Sequence, residues 1–262
     1  ATGGIGSLNY QWFSNTANTN TGGTSIPGAN QATYTPPTFP TVGTFYYYAV
    51  ATYDGSGCGS VASNVATINV IADPIVTTQP LLTQTQCQGA NASTLTVDVN
   101  NGLGTPSYQW YSNTTNSNTG GSLLAGQTNA SFTPPTTNLG ALYYYCVITQ
   151  AASGCEVTSN ISTVEIVPSP SITTQPNPNQ EICINGSLTP LTVSFTNGAG
   201  TATYQWYSNS SNSTAGGTPN SGAISSFYTP PSSPVGELFY YCEITFSQGG
   251  CSSIFSNTAR VE

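Results

Sequence analysis

The residues of this chain with the most chemistry to offer are seven cysteines, which fall at recurring places. Cys87 and Cys183 precede strand-like segments, Cys146 and Cys242 sit in tyrosine-rich runs, and Cys58, Cys155 and Cys251 lie in glycine-rich turns. None belongs to a CxxC pair, so the set speaks for disulfides in an oxidising compartment rather than for zinc. Catalysis has few other means. No histidine can act as a base and no lysine as a nucleophile or phosphate clamp. Asp54, Asp73, Asp98, Glu156, Glu165, Glu181, Glu237 and Glu243 are scattered and do not recur at matching positions, so a glycosidase pair is not expected. No DxDxDG run is present, and Asp73 with backbone carbonyls would make at best a weak calcium site. The expectation is no enzyme, no catalytic residue, no metal and no cofactor.

Charge narrows the partners. One cation, Arg260, stands against nine acidic residues at net charge −8, so the chain repels polyanions, and nucleic acid and acidic membrane surfaces are both excluded. No stretch approaches the about 18 apolar residues of a membrane-spanning segment, and the first residues do not have the pattern of a signal peptide. With charged residues at 4 %, solubility must come from Asn, Thr, Ser and Gln, while 37 % hydrophobic residues suffice for packed cores. Trypsin has one target, Arg260, so an intact main band is expected after long exposure; extensive fragmentation would contradict this.

The elements that must position these residues repeat. Tyr10-Gln11-Trp12, Tyr108-Gln109-Trp110 and Tyr204-Gln205-Trp206 are spaced by 98 and 96 residues, long enough for each unit to hold its own core. In the second unit Leu95, Val97 and Val99 alternate with Thr96 and Asp98, the period of a strand with one buried face, and Leu191, Val193 and Phe195 repeat it. A turn at 100–106, the YQW strand, a polar loop at 113–121, Ser131-Phe132-Thr133, the breaker Pro134-Pro135, the dense run Tyr143–Ile148 and a final strand to Val167 complete the unit. No helical period appears. The sequence predicts all-β tandem antiparallel sandwiches in an elongated rod: 1–71 a partial repeat without its first strands, 72–168 and 169–262 nearly complete, the whole a segment of a longer array. Ala72-Asp73-Pro74 and Pro168-Ser169-Pro170, each followed by Thr-Thr-Gln-Pro, read as short stiff linkers.

A Trp on the third strand, a Tyr two residues before a Cys on the sixth (Tyr144 and Cys146, Tyr240 and Cys242) and an apolar residue 13 before the Trp (Val97, Val193) resemble the immunoglobulin fold. Val97 and Val193 stand where antibody-type domains have the second cysteine, so the usual bridge between sheets cannot form. The phrases YQWYSNTTNSNTGG, YTPPT, YYYC and ITTQP resemble repeats of giant surface adhesins of gliding Bacteroidetes, of the SprB type. That resemblance spans the chain and implies a secreted, surface-anchored filamentous adhesin exported by the type IX system.

Three cysteines per complete unit leave an odd thiol. Ala49 replaces the middle one in the first unit, which suggests that Cys146 and Cys242 are buried free thiols. In an immunoglobulin-like topology Cys87 and Cys155 lie at opposite ends of their domain, roughly 20 Å apart for a seven-residue strand, whereas the next domain's hairpin is near Cys87. The favoured pairing is therefore Cys87 with Cys251 across the joint, with Cys58, Cys155 and Cys183 paired outside the segment. Bridges within a domain, Cys87–Cys146 with Cys183–Cys242, or Cys87–Cys155 with Cys183–Cys251, remain open.

Trp12, Trp110, Trp206, Tyr47, Tyr144 and Tyr240 are expected as core anchors. The loops at 15–23, 113–121 and 209–217 are expected to cap their own turns. Asn113, Asn116, Asn118, Asn209 and Asn212 form a candidate weak ligand stripe for surface polysaccharides or neighbouring filaments, gaining by avidity. The expected role is a structural and adhesive segment of an extracellular, cell-surface filament in gliding or attachment. An accessory carbohydrate-binding or spacer module of a secreted enzyme is the alternative, and it would need one repeat with altered loops around an aromatic cleft. Lateral self-assembly through uncharged faces is a third.

Overall fold

The computed structural model describes residues 6–55, 59–233 and 235–262. All regular structure is β, as the alternating Leu/Val and aromatic segments require, and no described helix is long and apolar enough to cross a membrane. The first repeat contributes β1 (Leu8–Asn15), β2 (Thr24–Ser25), β3 (Gly43–Tyr53), β4 (Val61–Ala62) and β5 (Ala66–Val70). The second comprises β6 (Ile75–Thr78), β7 (Thr83–Cys87), β8 (Leu95–Thr96), β9 (Asp98–Asn100), β10 (Pro106–Asn113), β11 (Ser122–Leu123), β12 (Ser131–Phe132), β13 (Gly140–Gln150), β14 (Glu156–Thr158) and β15 (Ser162–Val167). The third repeats this as β16 (Ser171–Thr174), β17 (Asn179–Gln180), β18 (Leu191–Thr192), β19 (Ser194–Thr196), β20 (Ala202–Asn209), β21 (Thr218–Pro219), β22 (Phe227–Tyr228), β23 (Leu238–Phe246), β24 (Ile254–Phe255) and β25 (Ala259–Val261).

In the second repeat one sheet runs β11-β10-β13-β15-β7, with β14 also on β13, and the facing layer is made by β6 with β9 and β8 with β12. The last strand pairs parallel with β7, Val167 opposite Cys87, while every other pairing with a printed register in this repeat is antiparallel. A first strand divided between the two layers, with its second half parallel to the last strand, makes each of these repeats an immunoglobulin-like sandwich. The third repeat has the same order, β21-β20-β23-β25-β17, again with a parallel β17–β25 pair.

Two local readings of the sequence change here. Thr-Thr-Gln-Pro is not part of the linker. Thr77 and Thr78 end β6, and Gln79-Pro80 carries the chain from one layer to the other. Proline suits that crossing because it offers no donor to either ladder. The Gln79 carboxamide oxygen accepts the Asn160 N–H at 2.8 Å, and Gln175 does the same for Asn257 at 2.7 Å. The Leu95–Val99 strand is likewise split. Leu95 pairs with Phe132, whereas Asp98–Asn100 pairs with β6, and Val97 between them donates its N–H to Ala130 O.

Trp110 and Trp206 are fully buried at the centre of their cores, beside Leu95, Val97 and Ile148 or Leu191, Val193 and Ile244. Their indole N–H groups donate to Asn129 O and Ser225 O at 2.9 Å. Tyr47, Tyr144 and Tyr240 are buried as expected of anchors. Trp12 is not. It is only half-buried, although its indole still reaches Gln31 O at 3.0 Å, because no described residue of the first repeat supplies the layer that Leu95 and Val97 supply in the second.

Candidate functional site

The most built feature outside the cores is the joint between the second and third repeats. Cys87 ends β7, where the parallel pairing with Val167 sets it at the edge of its domain facing the next one. The turn between β23 and β24 brings Cys251 to it. The two form a disulfide with Cα atoms 5.1 Å apart, and Cys87 is 1 % exposed. The Cys87 N–H donates to Gly249 O at 2.9 Å, so backbone and side chain of one residue hold the same hairpin. On the linker side the Gly198 N–H donates to Pro168 O at 3.2 Å, and Ser169 Oγ donates to Gln88 O at 3.3 Å. A groove lined by Cys87, Gln88, Asn91, Pro170, Ser252 and Ile254 follows the seam.

Close approach makes glycine necessary at the tip. Gly249 has φ +74°, and a Cβ there would stand 2.6 Å from Ala199 Cβ and 3.1 Å from Thr85 O. Ala199 is itself buried. Gly249, Gly250 and Ala199 were not singled out from the sequence; the Gly-Gly doublet before Cys251 and Asn197-Gly198 were the available signals.

The remaining cysteines take three different positions. Cys146 and Cys242 are fully buried free thiols opposite Trp110 and Trp206, and burial pushes them up to about 11 and about 12. Neither bridges within its domain. Cys155 is a half-buried and Cys183 an exposed free thiol. Cys58 lies outside the described residues.

The polar loops are largely occupied with themselves. Asn113 Nδ2 donates to Ser117 O and Thr119 O, both at 3.1 Å, while its Oδ1 accepts from the N–H and hydroxyl of Thr115. Asn209 makes the equivalent bonds to Ser213, Ala215 and Ser211. Asn118 donates to Ser159 O at 3.3 Å, and Asn212 Oδ1 accepts the Thr258 hydroxyl. Asn116 is exposed at the loop tip. The last tyrosine of each run, Tyr48, Tyr145 or Tyr241, stacks on the aromatic residue after the tryptophan and lies under the loop. Tyr145 stacks on Tyr111 with centroids 5.2 Å apart, and its hydroxyl accepts the Gly121 N–H at 3.0 Å.

Charge is concentrated at the far end of the third repeat, where Arg260 meets Glu181 at 3.3 Å, Glu237 at 3.1 Å and Glu262. The hydrogen bond that the guanidinium donates to Glu237 leads the effects that raise its already high pKa. Among the described residues no group of three or more His, Cys, Asp and Glu could hold a metal.

Residues 1–72, 79–168 and 173–262 each match a family described as "Domain of unknown function (DUF8696)". The chain belongs to this family. It comprises tandem DUF8696 copies, and its solved structural neighbours are immunoglobulin and fibronectin type III domains. The I-band fragment I67-I69 from titin is 12 % identical, covers 97 % of this chain and 87 % of that one, and has a TM-score of 0.45. Sidekick-1 immunoglobulin domains 1-5 are 15 % identical, covering 97 % and 52 %, at 0.28. The fibronectin(III)-like modules of Clostridium thermocellum CbhA are 13 % identical, covering 72 % and 91 %, at 0.35. No curated protein matches.

Proposed function

We propose that these DUF8696 copies are a structural and adhesive segment of a long extracellular filament, attached at the cell surface and used in gliding or attachment, in the manner of the SprB-type adhesins that its repeated phrases resemble. The observation that carries the reading is the joint: a disulfide and a backbone hydrogen bond from Cys87 tie successive copies together. A chain built to transmit force gains from a covalent tie between domains. A freely hinged enzyme accessory does not. An oxidising location fits this tie, and so does a surface almost without lysine or arginine, which offers trypsin-like proteases one site.

The adhesive part of the role falls to what the loops present to solvent, exposed Asn116 and, at the equivalent tip, the amide nitrogen of Asn212, whose oxygen is taken by Thr258, so any affinity for polysaccharides or neighbouring filaments comes from many weak repeats acting together. Antibodies raised against this chain test the location directly. Labelling of intact, unpermeabilised cells is expected, along fibres that extend from the surface. Labelling only after permeabilisation would overturn the proposal. A glycan array probed with the recombinant chain separates adhesion from spacing: saturable binding supports the adhesive half, and no binding leaves a spacer.

A further inference from the structure

The far end of the third repeat carries the same receiving turn that the second repeat uses at its joint. In the second repeat the turn Cys87-Gln88-Gly89-Ala90 is closed by the Ala90 N–H on Cys87 O at 3.0 Å, with Gly89 at φ +80°. In the third, Cys183-Ile184-Asn185-Gly186 is closed by the Gly186 N–H on Cys183 O at 2.8 Å, with Asn185 at φ +62°. A left-handed third residue in a four-residue turn is the type II arrangement, which glycine and asparagine accept. The strand behind is held alike in both. Gln84 exchanges two hydrogen bonds with the backbone of Ser93, and Gln180 with that of Thr189.

What differs is the cover. Cys87 is 1 % exposed under the Gly249–Cys251 hairpin, whereas Cys183 is an exposed free thiol and its neighbour Ile184 is 57 % exposed. Val235 and Leu238 are exposed too, and with Ile182 and Ile184 they line a hollow that Glu237 and Glu262 also border. The Cys183 thiol therefore stands, with exposed Ile184 next to it, on a turn of the same form as the one that receives the hairpin in the second repeat.

We infer that this end face is a covalent docking site for the Gly-Cys hairpin of another copy of this domain, closed by a disulfide from Cys183 to that hairpin's cysteine. The occupant is argued from the chain itself. In the sequence glycine directly precedes cysteine in Gly57-Cys58, Gly154-Cys155 and Gly250-Cys251. Gly250 packs on the receiving turn, where an added Cβ would lie 3.2 Å from Ala90 Cβ, while the tightest approach is at Gly249, a position held by Ser153 in the second repeat's hairpin. Gly186 stands at the position of Ala90 and leaves more room. By analogy with Cys87 and Gly249, the Cys183 N–H is the donor for the incoming carbonyl, and Ile184 adds apolar cover where the second repeat has Gln88.

The chemistry balances with a small-molecule disulfide as oxidant. The hairpin thiolate attacks it, forming a mixed disulfide and releasing one thiolate. The Cys183 thiolate then attacks the hairpin sulfur, the protein S–S bond forms, and the second small thiolate leaves. Two protein thiols lose two protons and two electrons, and the oxidant becomes two thiols. The site depends on the joint geometry and not on whether the array binds anything, so it stands or falls apart from the adhesive role.

The test is the full chain with residues 166–262 appended after Glu262, and a second fusion with residues 70–168 appended, both equilibrated with glutathione disulfide. Peptide mapping is expected to find Cys183 joined to the appended hairpin cysteine, with alkylation of Cys183 about tenfold below that in the 262-residue chain. Mutating the appended cysteine to serine should restore alkylation. The Cys87–Cys251 linkage in the same molecules reports that the parent folded. Cys183 remaining fully alkylated in both fusions while that linkage is present, or pairing with any other cysteine, would overturn the inference.

Discussion

Cys146 and Cys242 lie directly across the strand pair from Trp110 and Trp206, as Ala49 lies across from Trp12. The position therefore takes a small apolar group, and the thiol is used as one. Its proton then matters. Burial raises both thiols from an ordinary 9.0, so the folded state holds protons that the unfolded chain releases first. Their contribution is fully present below pH 9 and is lost as pH climbs toward 11 and 12, at about 1.4 kcal/mol per pH unit for each thiol while it alone titrates. Thermal unfolding followed from pH 8 to pH 11 should show a falling midpoint. Tyr144 and Tyr240, also raised by burial, push the same way. The double variant C146A/C242A should therefore keep a tyrosine slope but lose the steeper part; an unchanged slope would contradict the assignment.

Hairpins and strands set what the joint tolerates. Replacing Gly249 by alanine forces a Cβ against Ala199 and the Thr85 carbonyl from a left-handed backbone. The strain alone costs about 1–3 kcal/mol, and relief means moving the hairpin off Cys87. Gly120→Ala, at φ +72° with no atom within 4 Å of the added Cβ, bears only the backbone cost. Hydrogen exchange at the Cys87 amide should quicken in G249A and stay put in G120A, while Trp206 fluorescence is unchanged in both. Equal protection in the two variants would mean that the Ala199 contact does not matter. The same elements explain what could be read in advance. Trp110, the Tyr-x-Cys spacing and Pro134-Pro135 are local signals of a sandwich. The pairing direction of β7 is not local: parallel contact with β15 joins residues about eighty positions apart, so the end that Cys87 occupies could be read only through the immunoglobulin-like topology and not from the residues around it. Thr-Thr-Gln-Pro looked like a linker because proline marks both linkers and layer crossings, and the deciding Gln79–Asn160 bond spans 81 positions. The self-capping of Asn113 was legible from its Asn/Thr/Gly loop; Trp12 reads as a buried anchor because its phrase is that of Trp110, although burial depends on a facing layer that no described residue of the first repeat supplies.

Tying Cys87 to Cys251 also changes how the chain as a whole bears tension. Force applied at the two ends enters through the residues up to Cys87, crosses the disulfide, and leaves through the residues after Cys251. The 164 positions it spans are bypassed. At a contour of about 3.5 Å per residue, that segment corresponds to about 570 Å that cannot be pulled out while the bond is intact. Of the 262 residues, only those outside the loop can extend, about 340 Å. Trp110 and Trp206 lie inside the protected segment, but β6, β7, β24 and β25 lie outside it, so full extension of the outer residues strips these strands from the second and third repeats while the bond keeps the rest from being drawn out. Single-molecule stretching from both termini should give about 340 Å in oxidised protein and, after a phosphine reductant, two further unfolding steps that bring the total to about 920 Å. The C251S variant should behave as reduced protein in either buffer. Equal lengths before and after reduction would remove the disulfide from the force path, and with it the reason for regarding the joint as the working part of the array.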